Sequence, residues 1–545
     1  MLGSEFSGFI ARTENSRTEN PRTRTPNPEP RTPNPDPDPD PDRVVAVLGK
    51  TRHVHFVGIG GIGMSGIAEL LANLGYAVSG SDEKRSVVTE RLATLGIRIA
   101  LGHDARHVGD ADVVVVSSAV RPTNPEVVEA GRRQIPVIPR AEMLAELMRL
   151  RFSIAVAGAH GKTTTTSMIA VVLERCGLDP TAVIGGRLSA FGSNARLGNG
   201  EFMVAEADES DRSFLKLFPT IAVITNIDHE HLENYGGFAD LQQAFVDFAN
   251  KTPFYGGVVA CVDDANLAEL LPKMSGRVIT YGLSSANAEI TARDVELRPL
   301  GVSATVMRRD RRVHRPTLQE QLDSWDAPKD TDRGTADDGS IASRPLVALG
   351  TLTLNVPGQH NLLNALAAVA VGGELGLSFD RIAAGLAEFQ GAERRFELRG
   401  EPRGILLVDD YGHHPTEIAA VLAAAKTLNR RIVVAFQPHR YTRTASLMDA
   451  FGPALAGADH VVLTDIYAAS EDPIPGVTIE TLAESIRKTL TVPLDVVPKL
   501  DDVVTAIVRA AKPGDVVITL GAGSIGSLPD RLIPALDTGF LGDHA

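Results

Sequence analysis

The chain has 545 residues, enough for about three domains of ordinary size rather than one, and its 43% hydrophobic and 22% charged content is that of a soluble globular protein. A net charge of −14 argues against a broad nucleic-acid surface, which needs a basic face, but leaves room for a local basic pocket that holds a small anion. Cys176 and Cys261 stand far apart without metal-ligand spacing, so neither a zinc site nor a disulfide framework is expected.

In chain order, residues 1–43 come first and differ from the rest. They hold nine of the 33 prolines, the last of them alternating with aspartate, so this stretch cannot bury apolar surface and is expected to be disordered. Its first dozen residues lack the basic-then-apolar order of a signal peptide, and no later apolar run approaches the length of a membrane span. A cytoplasmic protein with no membrane or nucleic-acid partner is the expectation. Residues 44–150 alternate short apolar strands, at 54–59, 77–79 and 112–117, with helical stretches, which predicts a parallel sheet wrapped by helices. A second α/β region runs from a strand at 153–157 to about residue 390. It carries a polar insertion at about 308–343, expected to be a disordered surface loop. A third region, 391–545, has strands at 405–408, 432–436, 460–464 and 516–520.

Two glycine-rich turns follow strands. Gly58-Ile59-Gly60-Gly61-Ile62-Gly63 fits a strand-to-helix turn whose backbone N–H groups can approach a diphosphate at the helix N-terminus, and Asp82, about 20 residues on, stands where a ribose hydroxyl would be held. The turn alone does not separate a dinucleotide from a nucleotide sugar. Gly158-Ala159-His160-Gly161-Lys162-Thr163-Thr164 ends as a phosphate-binding loop, in which Lys162 reaches the terminal phosphates and Thr163 reaches Mg²⁺. It departs from the common spacing in having Val156 where a first glycine is usual. Downstream, Glu206 closes a short strand, where a carboxylate can hold Mg²⁺ beside phosphates. His231 follows the next strand within Asn226-Ile227-Asp228-His229-Glu230-His231. In the third region, Arg394-Arg395, the run Asp409 to His414, and His439 to Arg443 gather acidic and basic groups at strand ends, where open α/β sheets place ligands.

Together these segments resemble the Mur ligase family, in order from residue 52 to the C-terminus. The resemblance implies three domains: a Rossmann-like UDP-binding domain, a central ATPase domain with a phosphate loop and a mostly parallel sheet, and a C-terminal Rossmann-like domain. Within the family the glycine turn and the run Asp409 to Pro415 point to the branch that adds L-alanine to UDP-N-acetylmuramate, with the tripeptide-recycling branch as the alternative. ATP would convert the lactyl carboxylate to an acyl phosphate, which the amine then attacks.

The resemblance also implies roles for particular residues. Lys162, Glu206, His231, Arg394 and His414 would be catalytic, with Mg²⁺ held through Thr163, Glu206 and His231. ATP would meet Gly158, Ala159, His160, Gly161, Lys162, Thr163, Thr164, His360, Asn364, Arg394, Asp410 and Tyr411. The UDP substrate would meet Gly60, Gly61, Ile62, Gly63, Ser81, Asp82, His103, Ser118, His414, Arg440 and Arg443. A nicotinamide dehydrogenase built on the first turn would leave the phosphate loop and Glu206 unexplained. A non-catalytic nucleotide sensor would not need the intact set Lys162, Thr163, Glu206 and His231.

Overall fold

The computed structural model describes residues 48–117, 119–188, 193–309, 341–469 and 471–539, which all belong to one unit, Ala46–Ala545. The expected tail at 1–43, Ser118 and residues 310–340 of the expected insertion lie outside the described residues.

Short runs of β-branched residues make the strands. Several are buried along their whole length, such as His53–Val57 and Ile432–Phe436, the pattern of parallel strands covered on both faces by helices. The first sheet holds β1 (His53–Val57), β2 (Ala77–Asp82), β3 (Arg98–Leu101), β4 (Val113–Val116) and β5 (Val137–Pro139) in the order β3-β2-β1-β4-β5, all parallel. The middle sheet holds ten strands: β6 (Phe152–Ala157), β7 (Thr181–Leu188), β8 (Ser193–Arg196), β9 (Phe202–Glu206), β10 (Ile221–Ile224), β11 (Gly257–Cys261), β12 (Val278–Tyr281), β13 (Ile290–Arg298), β14 (Gly301–Arg309) and β15 (Leu346–Leu354). Their order is β15-β14-β13-β12-β11-β10-β6-β9-β7-β8, with β13, β14 and β15 forming an antiparallel extension of a parallel centre. The third sheet holds β16 (Glu397–Gly400), β17 (Leu406–Asp410), β18 (Ile432–Phe436), β19 (His460–Leu463), β20 (Leu494–Val496) and β21 (Val516–Leu520) in the order β16-β17-β21-β18-β19-β20, with only β16 antiparallel.

Some edges differ from the sequence reading. The second strand continues past residue 79 to Asp82 because Ser81 and Asp82 pair with Ala100 and Leu101 of β3. β17 continues to Asp410 because Asp409 and Asp410 pair with Thr519 and Leu520. The insertion is narrower than 308–343: Arg308 and Arg309 belong to β14, paired with Val347 and Leu346, and Ile341–Ser343 is a short 3-10 turn. Arg309 anchors that edge by donating to the carbonyls of Ala286, Ala288, Ala342 and Arg344.

Most apolar side chains of the first and middle sheets form one continuous cluster, from Val54 to Phe389, while Val57, Val108, Ala111, Val114 and Ala130 form a small separate one. The third sheet has its own two clusters, one on each face. Beside the first sheet lies an ionic core. The Glu126 carboxylate is fully buried; Ser81 Oγ donates to its Oε2 at 2.8 Å, His55 Nε2 lies 2.6 Å from the same oxygen, and His103 Nδ1 lies 3.0 Å from Oε1. Burial raises the Glu126 pKa, but the hydrogen bonds from His55, Ser81 and His103 outweigh it and leave the group below the ordinary glutamate value. Its stabilising contribution is therefore complete above the unfolded value of 4.5 and is lost as pH falls through the lower folded value. Glu126→Gln should lower the melting temperature at pH 7, since breaking a buried ionic cluster costs about 3–5 kcal/mol. It should also flatten the fall in melting temperature below pH 4.5, as calorimetry across that range would show; equal slopes would acquit the carboxylate.

Candidate active site

Register places the site. Val156 of β6 pairs with Glu206 at the end of β9, and Ala157 pairs with Ile224 at the end of β10. The segments that follow these strands therefore meet at one sheet edge, the end where open parallel sheets carry ligands. The phosphate loop turns there on two glycines. Gly158 has φ +134°, and a Cβ on it would sit 2.1 Å from Thr225 Oγ1; Gly161 has φ +81°, and a Cβ would sit 2.7 Å from Asn364 Oδ1. The loop is stapled to the segment after β10. His160 N donates to Asn226 Oδ1 at 2.8 Å, while Thr225 Oγ1 and Asn226 Nδ2 donate to the His160 carbonyl at 2.6 and 3.0 Å. The helix Lys162–Arg175 then starts without a side-chain cap, which leaves its N-terminal end suited to an anion.

Lys162 Nζ donates to the carbonyls of Gly158 and Ala159 at 2.6 and 3.1 Å and to Glu209 Oε1 at 2.8 Å. Burial works against its charge, but the Glu209 and Asp208 carboxylates outweigh burial and hold its pKa above the ordinary lysine value. Burial in turn pushes Glu209 up to about 7 in spite of Lys162, and Glu209 Oε2 has no hydrogen-bond partner. Two carboxylates, Glu209 and Asp208, thus crowd one lysine.

Three cavities meet at this loop. The first, of about 260 Å³, is mainly apolar and is lined by His160, Gly161, Thr164, His360, Asn364 and Asp410 among others. Burial pushes His360 down to about 4 and Asp410 up to about 6. Asp410 accepts from the N–H groups of Phe396 and Gly412, both at 2.7 Å, and so fixes the turn after β17. The second cavity, of about 220 Å³, is polar and joins Ala159, Lys162, Thr163 and His231 to Tyr411, Arg440 and Arg443. The third, of about 540 Å³, runs from Gly63 through Lys162, Thr163 and Glu206 to Arg394 and Tyr411, so all three sheets contribute to it.

The oxygen donors around Lys162 suit Mg²⁺: Thr163 and Glu206 line one cavity, Thr163 and His231 the other, and Glu209, with one oxygen lacking a hydrogen bond, lies against Lys162. His231 is held in the left-handed region at φ +57°, and burial lowers its pKa, which keeps the ring neutral as a ligand must be.

Residues of the third region close over the same loops. Arg394 Nε donates to Asp409 Oδ2 at 2.8 Å and its guanidinium lies over the Tyr411 ring. Arg443 Nε is 4.0 Å from Glu230 Oε1, Arg440 is 3.7 Å from Glu233, and His414 Nε2 is 3.7 Å from Glu230 Oε1. His414, Arg440 and Arg443 therefore converge on the segment after β10. In the first sheet, Gly60 N donates to Asp82 Oδ2 at 2.8 Å, so one oxygen of Asp82 is committed to the glycine turn. Ser81 and His103 are both bonded to Glu126, and Gly61 precedes the helix that begins at Ile62.

Several site residues carried no signal of their own in the sequence. Arg140 packs so closely on Gly63 that a Cβ there would collide with its guanidinium, and it reaches Asp208 at 3.6 Å. Glu417 lies 3.5 Å from His160 Nδ1 and 3.4 Å from Arg395, and accepts from the N–H groups of His413 and His414. Asn226 and Glu209 stood within motifs noted for their neighbours.

A glycine turn, a phosphate loop and an arginine-bearing third sheet around joined cavities define a multidomain enzyme that spends a nucleoside triphosphate on a second, anionic substrate. Family profiles agree: "Mur ligase family, catalytic domain" matches residues 53–152, "Mur ligase middle domain" residues 156–318, and "Mur ligase, glutamate ligase domain" residues 394–523. The chain is 51% identical over 487 residues to the UDP-N-acetylmuramate–L-alanine ligase of Geobacter sp. (strain M21), covering 89% of this chain and 98% of the relative. It is 51% identical over 492 residues to the same-named protein of Geobacter sulfurreducens, covering 90% and 98%. Among solved structures, UDP-N-acetylmuramate-alanine ligase from Thermotoga maritima matches with a TM-score of 0.71 and 30% identity, covering 89% of this chain and 99% of that one. A murein peptide ligase from Psychrobacter arcticus matches with a TM-score of 0.61 and 25% identity over the same shares. The chain belongs to the Mur ligase family.

The loop geometry gives a test. Gly158→Ala must place a side chain at φ +134° against Thr225 Oγ1, a strain of about 1–3 kcal/mol. Urea unfolding should register that loss, and nucleotide affinity should fall with it; an unchanged midpoint would show that the loop can relax.

Proposed function

We propose that the chain joins L-alanine to the lactyl carboxylate of UDP-N-acetylmuramate with cleavage of ATP to ADP and phosphate, as a cytoplasmic step in peptidoglycan precursor synthesis. The observation that carries this reading is the 540 Å³ cavity shared by Gly63, the phosphate loop and Arg394, because it offers one space to a sugar nucleotide, a γ-phosphate and a reacting carboxylate. The names and full-length coverage of the relatives support the choice of L-alanine.

A carboxylate is a poor electrophile. Its oxygen first attacks the γ-phosphorus, ADP leaves, and an acyl phosphate forms. The alanine amine then attacks the acyl carbon, a proton leaves the nitrogen, and phosphate departs from the tetrahedral intermediate. The first step brings two anions together, so the positive charge of Lys162 must lie on the phosphates before attack. In this reading Lys162 exchanges the loop carbonyls and Glu209 for phosphate oxygens. The loop N–H groups and the uncapped helix end hold the phosphate chain, and the apolar cavity beside His360 and Asn364 takes the adenine. Gly60, Gly61, Ile62 and Gly63 take the UDP diphosphate, while His414, Arg440 and Arg443 orient the muramoyl and alanine carboxylates. Mg²⁺ held through Thr163, Glu206 and His231 would neutralise phosphate charge.

Phosphate release measured with UDP-N-acetylmuramate, ATP and Mg²⁺ should depend on L-alanine. Release with a peptide amine alone would move the chain to the recycling branch, and silence with every amine would overturn the reading. Lys162→Ala should lower kcat by about 100-fold or more, the scale of removing one preorganised charge from a phosphoryl transfer site.

A further inference from the structure

Among the described residues, one group of metal-ligand side chains is gathered from three separate segments: His160 of the phosphate loop, Glu230 after β10, and His414, which caps the helix Pro415–Lys426. One ligand atom of each lies within 4.8 Å of the others. His414 Nε2 is 3.7 Å from Glu230 Oε1, and the rings of His160 and His414 have centroids 4.9 Å apart. His414 and Glu230 are only 4% and 8% exposed. His414 Nε2, Glu230 Oε1 and His160 Nδ1 are each buried without a hydrogen-bond partner, their nearest other charges being Glu417 at 3.5 Å from His160 Nδ1 and Arg443 at 4.0 Å from Glu230 Oε1. Three orphaned polar atoms in one place are costly unless something fills the space between them.

We propose that His160, Glu230 and His414 form a binding site for a divalent transition-metal ion of the zinc class. Two imidazoles and one carboxylate are the donors such an ion takes, with the His160 proton released to solvent on binding, whereas Mg²⁺ prefers oxygen and keeps its water. Three protein ligands leave a fourth position open. Ligands about 2.0–2.2 Å from a tetrahedral ion lie roughly 3.3–3.5 Å apart, so the His414–Glu230 pair needs little movement. Asp228 stands behind the site: its Oδ2 lies 3.1 Å from His160 Nε2 and accepts from Thr416 Oγ1, the outer carboxylate that commonly orients a ligating histidine. The site uses no cysteine, which is why cysteine spacing gave no hint of it. It is separate in donors from the Thr163, Glu206 and His231 positions. The ion ties the third sheet to the phosphate loop and sits between two cavities, since His160 lines the apolar one and Glu230 the polar one. It therefore opposes nucleotide entry, and zinc should raise the apparent KM for ATP.

The test uses the full chain without nucleotide, titrated calorimetrically with Zn²⁺ and with Mg²⁺ and spectroscopically with Co²⁺. One zinc per chain is expected, bound at least about 100-fold more tightly than Mg²⁺. Co²⁺ should give the intense visible bands of a four- or five-coordinate site. His414→Ala and Glu230→Gln, shown by circular dichroism to be folded, should each weaken zinc by about 10-fold or more. Glu206→Gln should retain it. No stoichiometric zinc, or zinc undiminished in both variants, overturns the proposal. The wild-type cobalt spectrum decides by itself if the variants do not fold, because weak octahedral bands would also overturn it.

Discussion

The closeness of the phosphate loop to the strand beside it constrains everything else in this molecule. Gly158 and Gly161 leave no room for a side chain against Thr225 and Asn364, and Asn226 closes the turn with hydrogen bonds in both directions. Because β6 lies between β9 and β10, this packing also sets where Glu206 and the segment Asp228 to Glu233 can stand. Lys162 thus has carboxylates close by before any phosphate arrives. The same crowding leaves Glu209 Oε2 and Glu230 Oε1 without a hydrogen-bond partner, with only the longer ion-pair contacts of His414 and Arg443 on the latter.

Burial sorts the titratable groups around that centre. The histidines on the third-sheet side, His413 and His439, are pushed down to about 4 and about 3 and are neutral at pH 7. His160 goes the other way, up to about 10, because the Asp228 carboxylate that accepts its hydrogen bond and the Glu417 carboxylate 3.5 Å from its other nitrogen outweigh burial. One wall of the site is therefore polar but uncharged, and cationic charge is concentrated in His160, Lys162, Arg394, Arg395, Arg440 and Arg443. That arrangement suits a reaction between anionic substrates, since the positive charge is held on partly buried, ion-paired side chains.

Much of this was legible in the sequence, for local reasons. Glycine turns after apolar strands announce themselves, and so do the alternating strands and helices of the first and third regions. Asp409 and Asp410 were harder, because aspartate disfavours strands and only their pairing with β21 keeps them there. The antiparallel extension β13-β14-β15 was not foreseen, since β13 and β15 are half exposed and show no continuous apolar run. The Glu126 core and the Arg140–Gly63 contact were invisible for a different reason: each joins residues distant in the chain, and one buried acid or one arginine has no pattern of its own. The assignments of Ser81 and His103 to the sugar nucleotide rested on resemblance, and both side chains prove to be engaged by Glu126.

The division of the hydrophobic core bears on how such an enzyme can diversify. The first and middle sheets share one large cluster, beside a small one private to the first sheet, so the first glycine turn and the phosphate loop ride on a single body. The third sheet carries its own core on both faces and meets the rest through polar contacts of His414, Arg440 and Arg443. A unit with a private core can exchange surface residues, or be replaced whole, without disturbing the packing of its neighbours. The third unit is thus the modular part of this architecture, and the body that carries the phosphate loop the fixed part.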